Sequence, residues 1–153
     1  MSAESKDTVR IAPFAELDAG KLYQFLRLRS EVFVVEQNCV YLDPDGLDPE
    51  PGTRHLWMEL ADEVRAYARI LDIDAEPRIG RVVTAPTARG AGLAGRLIAE
   101  AVRLIGDRPS VLHAQAHLRD YYAKFGYQQN GPEYDEDGIP HIPMLRGAPQ
   151  LSR

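Results

Sequence analysis

Cysteine is nearly missing from this chain: Cys39 is the only one among 153 residues, so no internal disulfide can close. Long apolar runs are missing too. The longest, such as Val32-Phe33-Val34-Val35, fall far short of the roughly 20 residues that span a bilayer, and no membrane segment is expected. The opening Met-Ser-Ala-Glu-Ser-Lys-Asp lacks the apolar stretch of a secretory signal, and with the lone thiol this points to a reducing cytoplasm. Positive charge is in short supply: 18 Lys plus Arg stand against 23 Asp plus Glu, a net charge of −5. That is the wrong sign for neutralising nucleic-acid phosphates over a broad face, so nucleic acid is not an expected partner. Internal repeats, heptads and low-complexity tracts are absent. What remains, 44% hydrophobic and 27% charged, suits one compact domain over residues 1–153 whose core needs no disulfide or structural metal. Segments 1–6 and 147–153 read as flexible tails.

Between the tails the pattern alternates between the helix and strand periods, as in a mixed α/β domain. A short strand near Thr8 to Ala12 is followed by Asp18, which caps a helix with Leu22, Phe25 and Leu26 on one face, running on towards Val35. Asn38 to Thr53 is a loop crowded with Pro, Gly and Asp. His55 to Ala61 and Val64 to Leu71 read as strands of a hairpin turning at Asp62-Glu63. Arg78 to Thr84 is a strand stopped by Pro86, and a helix starts from Gly92, placing Leu93, Leu97, Ile98, Ala101, Leu104 and Ile105 inward, with Gly106 and Pro109 ending it. A buried strand over Val111 to Ala116 precedes a short helix with Leu118, Tyr121, Tyr122 and Phe125 on one stripe, capped by Gly126. A turn at Asp137-Gly138 leads into a last strand around His141 to Leu145.

The segment Arg89-Gly90-Ala91-Gly92-Leu93-Ala94-Gly95 joins a strand to a helix. Glycines there let the backbone turn sharply and point successive N–H groups outward, while the helix start adds orphan donors and the positive end of its dipole. That is a site for a pyrophosphate, with Arg89 beside it. A bare strand-to-helix turn is the alternative for two glycines alone. No G-x-x-x-x-G-K-[ST] string occurs, but Gly90, Gly92 and Gly95 match the dinucleotide register G-x-G-x-x-G. A dinucleotide fold would open with this unit and set an acid about 20 residues later at a strand tip. Here strands, a helix and a hairpin come first, and Asp107 follows a helix end.

The string from Arg89 to Ala94 resembles the acyl-coenzyme A site of the GNAT N-acetyltransferases, Gln/Arg-x-x-Gly-x-Gly/Ala, with Arg89, Gly92 and Ala94 at the fixed positions. Tyr121-Tyr122-Ala123-Lys124-Phe125-Gly126-Tyr127 is similar to a second element of that superfamily. Phe33 to Gln37, Thr53 to Leu56, Ala114 to His117 and Asp137 to Met144 resemble its ElaA-like branch, so the likeness covers nearly all of residues 8–146. The resemblance implies a GNAT fold: a mixed central sheet of about six to seven strands, splayed near the middle, flanked by about four helices. It implies acetyl-CoA as co-substrate, with backbone groups of Val82, Val83 and Thr84 on the pantetheine arm. The backbone of Arg89, Gly90, Ala91, Gly92, Leu93, Ala94 and Gly95 would hold the pyrophosphate. Many GNAT enzymes carry Asn where this chain has His117, the pantetheine-contacting position.

Amide formation from a thioester needs a neutral amine, a place for negative charge on the carbonyl oxygen, and a proton for the departing thiolate. The backbone N–H at Val83 suits the second, and Tyr122 holds the family's position for the third, although its spacing also fits a core aromatic. For the base, Glu36 and His141 lie in the ElaA-like strings, with His55, Glu59 and His113 as reserves. His113 and His117 are not spaced as a zinc pair, and no metal is expected. Cys39 reads as a packed thiol. Asp43, Asp45, Asp48 and Glu50 form one acidic cluster, and Glu133, Asp135, Glu136 and Asp137 another; together they would draw in a cation, or both are solvated loops. The resulting expectation is transfer of an acetyl group to a small-molecule or peptide amine, with a homodimer left open. The alternatives are a non-catalytic acyl-CoA-binding module and a nucleotide-binding protein using the same loop.

Overall fold

The computed structural model describes residues 8–147, so the segment 1–6 and nearly all of 147–153 lie outside the described residues. Strand β1 (Arg10–Ala12) leads to helix α1 (Ala19–Arg29), whose first turn is capped by the Asp18 carboxylate accepting from the Lys21 N–H at 2.7 Å. The helix does not stop where its α geometry ends. It widens into a π-helical segment, Ser30–Glu36, in which Gln37 N–H donates to Val32 O at 3.0 Å. Strands β2 (Thr53–Leu60) and β3 (Glu63–Leu71) form the hairpin, turning on Ala61 and Asp62 (φ 53° and 68°), one residue earlier than expected. Strand β4 (Arg78–Thr84), helix α2 (Leu93–Ile105), strand β5 (Ser110–Gln115) and helix α3 (Arg119–Ala123) follow, then strands β6 (Gln128–Gln129), β7 (Tyr134–Glu136) and β8 (Ile139–Arg146).

All eight strands join one sheet in the order β1-β2-β3-β4-β5-β8-β6, with β7 also on β8. The count exceeds the expected six to seven because β6 and β7 pair separately with the two ends of β8. Three α-helices are described rather than about four, since the first widens instead of breaking. Only β4 and β5 run parallel; every other pairing is antiparallel, so the dinucleotide reading of the glycine loop falls with the doubly wound sheet it requires.

The two faces of the sheet are covered by different helices. Leu93, Leu97, Ile98, Ala101 and Ile105 of α2 pack on Leu56, Met58, Ala66, Ala68, Ile70 and Ile79, whereas Leu104, expected on the same inward stripe, falls at its edge and is 42% exposed. On the other face Phe25 and Leu28 of α1, with Val32 of the π segment, pack on Trp57, Val64, Tyr67 and Val83. Burying a side chain of this size stabilises the fold by about 1.5–3 kcal/mol, which fixes both helices against the sheet.

Candidate active site

Strands β4 and β5 share a single register pair, Arg78 with Val111, supported by Val111 N–H donating to Pro77 O at 3.0 Å. Beyond it they diverge. The opening is a cleft of about 670 Å³ with β4 from Ile79 to Thr84 on one side and β5 from Leu112 to Gln115 on the other. Strand β4 is also bulged: Tyr67 faces Val83 and Arg69 faces Gly80, so Arg81 and Val82 together oppose Ala68. Arg81 takes φ 54°, a left-handed conformation that favours glycine and costs about 1–3 kcal/mol for other residues. The extra residue resets the side-chain alternation. Ile79 and Val82 pack on the α2 side of the sheet and Val83 on the α1 side, an odd spacing within one face that a regular strand forbids.

The glycine loop opens onto this cleft. Gly90 and Gly92 have φ 89° and 77°, and a β-carbon on either would meet nothing within 4 Å, so backbone conformation rather than crowding demands them. Gly92 caps α2 without any side-chain acceptor for the first-turn N–H groups, and the first intrahelical bond runs from Arg96 N–H to Gly92 O at 3.2 Å. The donors of Leu93, Ala94 and Gly95 are thus left for an anion. Leu93 sends its side chain into the core and offers only its backbone. Gly95 has a different reason: a β-carbon there would lie 3.4 Å from the Tyr121 hydroxyl and 3.7 Å from Phe125 Cζ, so its absence lets α3 close on α2. Val82, Val83, Thr84, Arg89, Ala94 and His117 line the cleft, whereas Gly90, Ala91 and Gly92, between Arg89 and Ala94 in the chain, are exposed and do not line it.

Three of the chemistry-bearing candidates meet in the same cleft. Tyr122 is 9% exposed, belongs to the core and lines the cleft, so the packing and functional readings of its spacing describe the same ring. Burial pushes its phenol up to about 12, which keeps the proton on oxygen. His141 Nδ1 donates to Ile139 O at 2.8 Å, which leaves Nε2 with its lone pair. Glu36, at the end of the π segment, is held by Arg89 in a bidentate pair of 2.7 Å contacts, and that hydrogen bonding keeps its carboxyl below the usual carboxylate range.

Of the three reserves, His55 and Glu59 are engaged away from the cleft and His113 lines it. His55 is fully buried, donates from Nε2 to Asp48 O at 3.1 Å and accepts from the Tyr67 hydroxyl at 2.6 Å, and burial lowers its pKa; it is a neutral structural group. Glu59 is occupied by Lys21 at 2.7 Å and by the Trp57 indole N–H at 2.7 Å. His113 lines the cleft, with Nδ1 2.7 Å from the Tyr134 hydroxyl. Cys39 is buried, as a packed thiol should be.

Three carboxylates of the acidic loop, Asp43, Asp45 and Asp48, are tied to arginines, whereas Glu50 stays exposed without a salt bridge to a described residue. Asp43 and Asp48 are buried, and each faces arginines that the sequence reading did not single out: Arg29 Nε lies 2.7 Å from Asp43, Arg29 Nη1 2.8 Å from Asp48, and Arg69 Nη1 2.9 Å from Asp48. Asp45 meets Arg69 at 3.1 Å and Arg81 at 3.3 Å, and Tyr41 donates to Asp43 at 2.9 Å. A signal was present. Arg29 stands seven residues after Leu22 on the inward stripe of α1, where a charge requires a buried partner. Among the described residues no helix is long and apolar enough to cross a membrane, and no group of three or more His, Cys, Asp or Glu is placed to hold a metal ion.

A splayed sheet, a glycine-started helix and a buried tyrosine in one cleft define an acyl-CoA-dependent transferase fold. The Acetyltransferase (GNAT) domain family matches residues 42–146, and the chain belongs to the GNAT acetyltransferases. Within that family it is 46% identical to a UPF0039 protein of Mycobacterium tuberculosis over 144 residues, covering 90% of this chain and 92% of the relative. It is 45% identical to protein ElaA of Escherichia coli over 139 residues, covering 86% and 91%. Its fold is similar to the crystal structure of an acyl-CoA N-acyltransferase from Pseudomonas aeruginosa, with TM-score 0.85, 42% identity and coverage of 91% and 99%.

Proposed function

We propose that the protein transfers an acetyl group from acetyl-CoA to a primary amine, carried by a small molecule or a peptide, through direct attack on the thioester. The observation that carries this reading is the convergence in one cleft of the uncapped α2 start, the buried Tyr122 phenol and the His141 imidazole with Nε2 free. The pyrophosphate would rest on the N–H groups from Arg89 to Gly95 and the pantetheine arm on the β4 backbone at Val82 to Thr84, with His117 beside it. The bulged backbone at Val82 and Val83 would polarise the thioester carbonyl. The amine nitrogen gives its proton to His141 Nε2 as the C–N bond forms. As the C–S bond breaks, Tyr122 protonates the leaving thiolate. Glu36 serves as the anchor of Arg89 rather than as the base, because its ion pair with Arg89 already satisfies both carboxylate oxygens.

Thiol release from acetyl-CoA across a panel of amines tests the assignment. Tyr122→Phe keeps the ring and the fold, and its turnover is expected to fall by about 10²–10⁴-fold with coenzyme A affinity unchanged. His141→Asn is expected to fall by a similar factor, with coenzyme A affinity unchanged. Coenzyme A at 100 times its Kd should stabilise the fold by about 2.7 kcal/mol. Tight coenzyme A binding with no thiol release for any amine would instead make the chain a binding module. A larger thermal shift with NAD would overturn the cofactor assignment.

A further inference from the structure

The bulge in β4 carries an arginine where glycine is the residue of choice. At φ 54° Arg81 sits inside a strand between Gly80 and Val82, and the neighbouring glycine does not take over the left-handed position. Its side chain accounts for the choice. The guanidinium lies 2.8 Å from the Asp43 carboxylate, donates to Asp43 O at 3.0 Å and to Asp45 at 3.3 Å, and sits 5.7 Å from the Tyr41 ring centroid. Asp43 is itself gripped by the fully buried Arg29 at 2.7 Å. A strained backbone persists only where its surroundings over-determine it. The surroundings here are the loop between the π segment and β2, pinned from beneath by Arg29 and Arg69.

We infer that Arg81 is a positioning residue for acyl transfer. Clamped by Asp43 and Asp45, it holds the left-handed turn of the β4 bulge and thereby fixes the backbone at Val82 and Val83 that faces the thioester. The inference rests on the acyl-transfer reading above for its catalytic consequence, and on the bulge geometry alone for its structural one. Without the bulge the alternation of β4 would slip by one residue, exchanging Val82 and Val83 between the two faces of the sheet. The acidic loop thus acts on the reaction through the conformation of the strand rather than through its charge.

The test compares Arg81→Ala with Arg81→Gly. Both remove the guanidinium and leave Asp43 with Arg29 and Tyr41, but only glycine adopts the left-handed turn without strain. Arg81→Ala is expected to lose tenfold or more in kcat, with coenzyme A Kd and acceptor KM within twofold of the parent, and Arg81→Gly to recover to within about threefold of parental kcat. Equal losses in the two variants would show that the guanidinium itself acts, and parental kcat in Arg81→Ala would show that the clamp is idle; either overturns the inference. Should Arg81→Ala fail to fold, Asp45→Asn carries the same test from outside the cleft: a fall in kcat at constant KM supports the clamp, and parental kcat refutes it. If the parent chain transfers no acyl group, the acyl-transfer reading is what fails. Amide hydrogen exchange across residues 79–84 then decides the clamp, with fast exchange in Arg81→Ala alone supporting it and parental exchange in both variants refuting it.

Discussion

Two acidic clusters that look alike in sequence have opposite fates in the fold. Asp43, Asp45 and Asp48 turn inward onto Arg29, Arg69 and Arg81, with Arg29 fully buried and Arg69 2% exposed. Glu133, Asp135, Glu136 and Asp137 stay exposed on β7 and beside it and make no salt bridge with a described residue. The difference lies in what the chain sets opposite each cluster. The first faces three arginines placed on the inward side of α1, β3 and β4, whereas the second faces water and the mouth of the cleft, which Glu136 and Asp137 line. Charge count along the sequence therefore says little about field: the first cluster is neutralised where it stands, and only the second projects negative potential towards a ligand.

Removing one cation from the buried cluster is expected to give the largest effect. Arg29→Met keeps the length and apolar stem of the side chain but strips Asp43 and Asp48 of a shared partner, at a cost of about 3–5 kcal/mol in unfolding free energy. Glu136→Gln, the matching change in the exposed cluster, is expected to stay within about 0.5 kcal/mol of the parent. Urea denaturation of both variants measures the contrast. A cost below 1 kcal/mol for Arg29→Met would mean that water reaches the cluster and that the two acidic regions differ less than their burial implies.

The next effect separates the clusters by pH. Burial alone would raise Asp45, but hydrogen bonds from Arg69 and the Leu47 N–H, with the charges of Arg69 and Arg81, outweigh it and hold the carboxyl at about 2. Burial likewise opposes ionisation of Asp48, and Arg29 and Arg69 overcome it to keep its pKa below the usual value. The unfolded chain takes up protons at these sites before the folded one does, so their contribution is complete above about pH 4 and is lost as pH falls from there towards 2. His55 acts earlier. Burial lowers its folded pKa, so its contribution is full above the unfolded value near 6.5 and is lost as pH drops below it. The melting temperature is expected to fall in two stages on acidification, the first starting near pH 6.5 and reduced in His55→Gln, with His113, also lowered by burial, supplying the remainder, and the second starting near pH 4. A melting temperature flat from pH 7 to 4.5 would contradict the His55 assignment.

Most of the framework was readable because it rests on local signals. Asp18, Gly92, Gly106 and the Asp137-Gly138 turn punctuate elements by short-range backbone chemistry, and the strand Arg78–Thr84 has the bounds that its apolar run and Pro86 imply. The glycine turn from Arg89 to Gly95 was readable for the same reason. The proposed base was not, because the choice among Glu36, His55, Glu59, His113 and His141 depends on what each touches across the fold. Arg89 claims Glu36 from 53 residues away, and His55 is satisfied by Tyr67 and Asp48. The arginine clamp was missed for a related reason: an Asp-rich, Pro-rich loop carries every mark of a solvated turn region until Arg29 and Arg69 are placed beneath it. The π widening of α1 leaves no periodicity signature, since one wide turn shifts the apolar stripe too little to separate from scatter.

The smallest effect tests whether the exposed cluster guides the acceptor. Glu136 and Asp137 line the cleft on the side of His141 and keep their charges in water, so each contributes at most about 1 kcal/mol, or fivefold, to holding a cation. With a dicationic amine as acceptor, kcat/KM is expected to decline as salt rises from 0.01 to 0.2 M, where the Debye length shortens from about 30 Å to less than 10 Å. Combining Glu136→Gln with Asp137→Asn should flatten that decline and raise acceptor KM severalfold while leaving kcat in place, because neither carboxylate sits at the reacting atoms. Asp45→Asn should leave the salt slope as it is, since Arg69 and Arg81 already cancel that charge. Equal slopes in all three proteins would show that acceptors are not recruited by charge, while a flattened slope in Asp45→Asn alone would reverse the roles assigned to the two acidic regions.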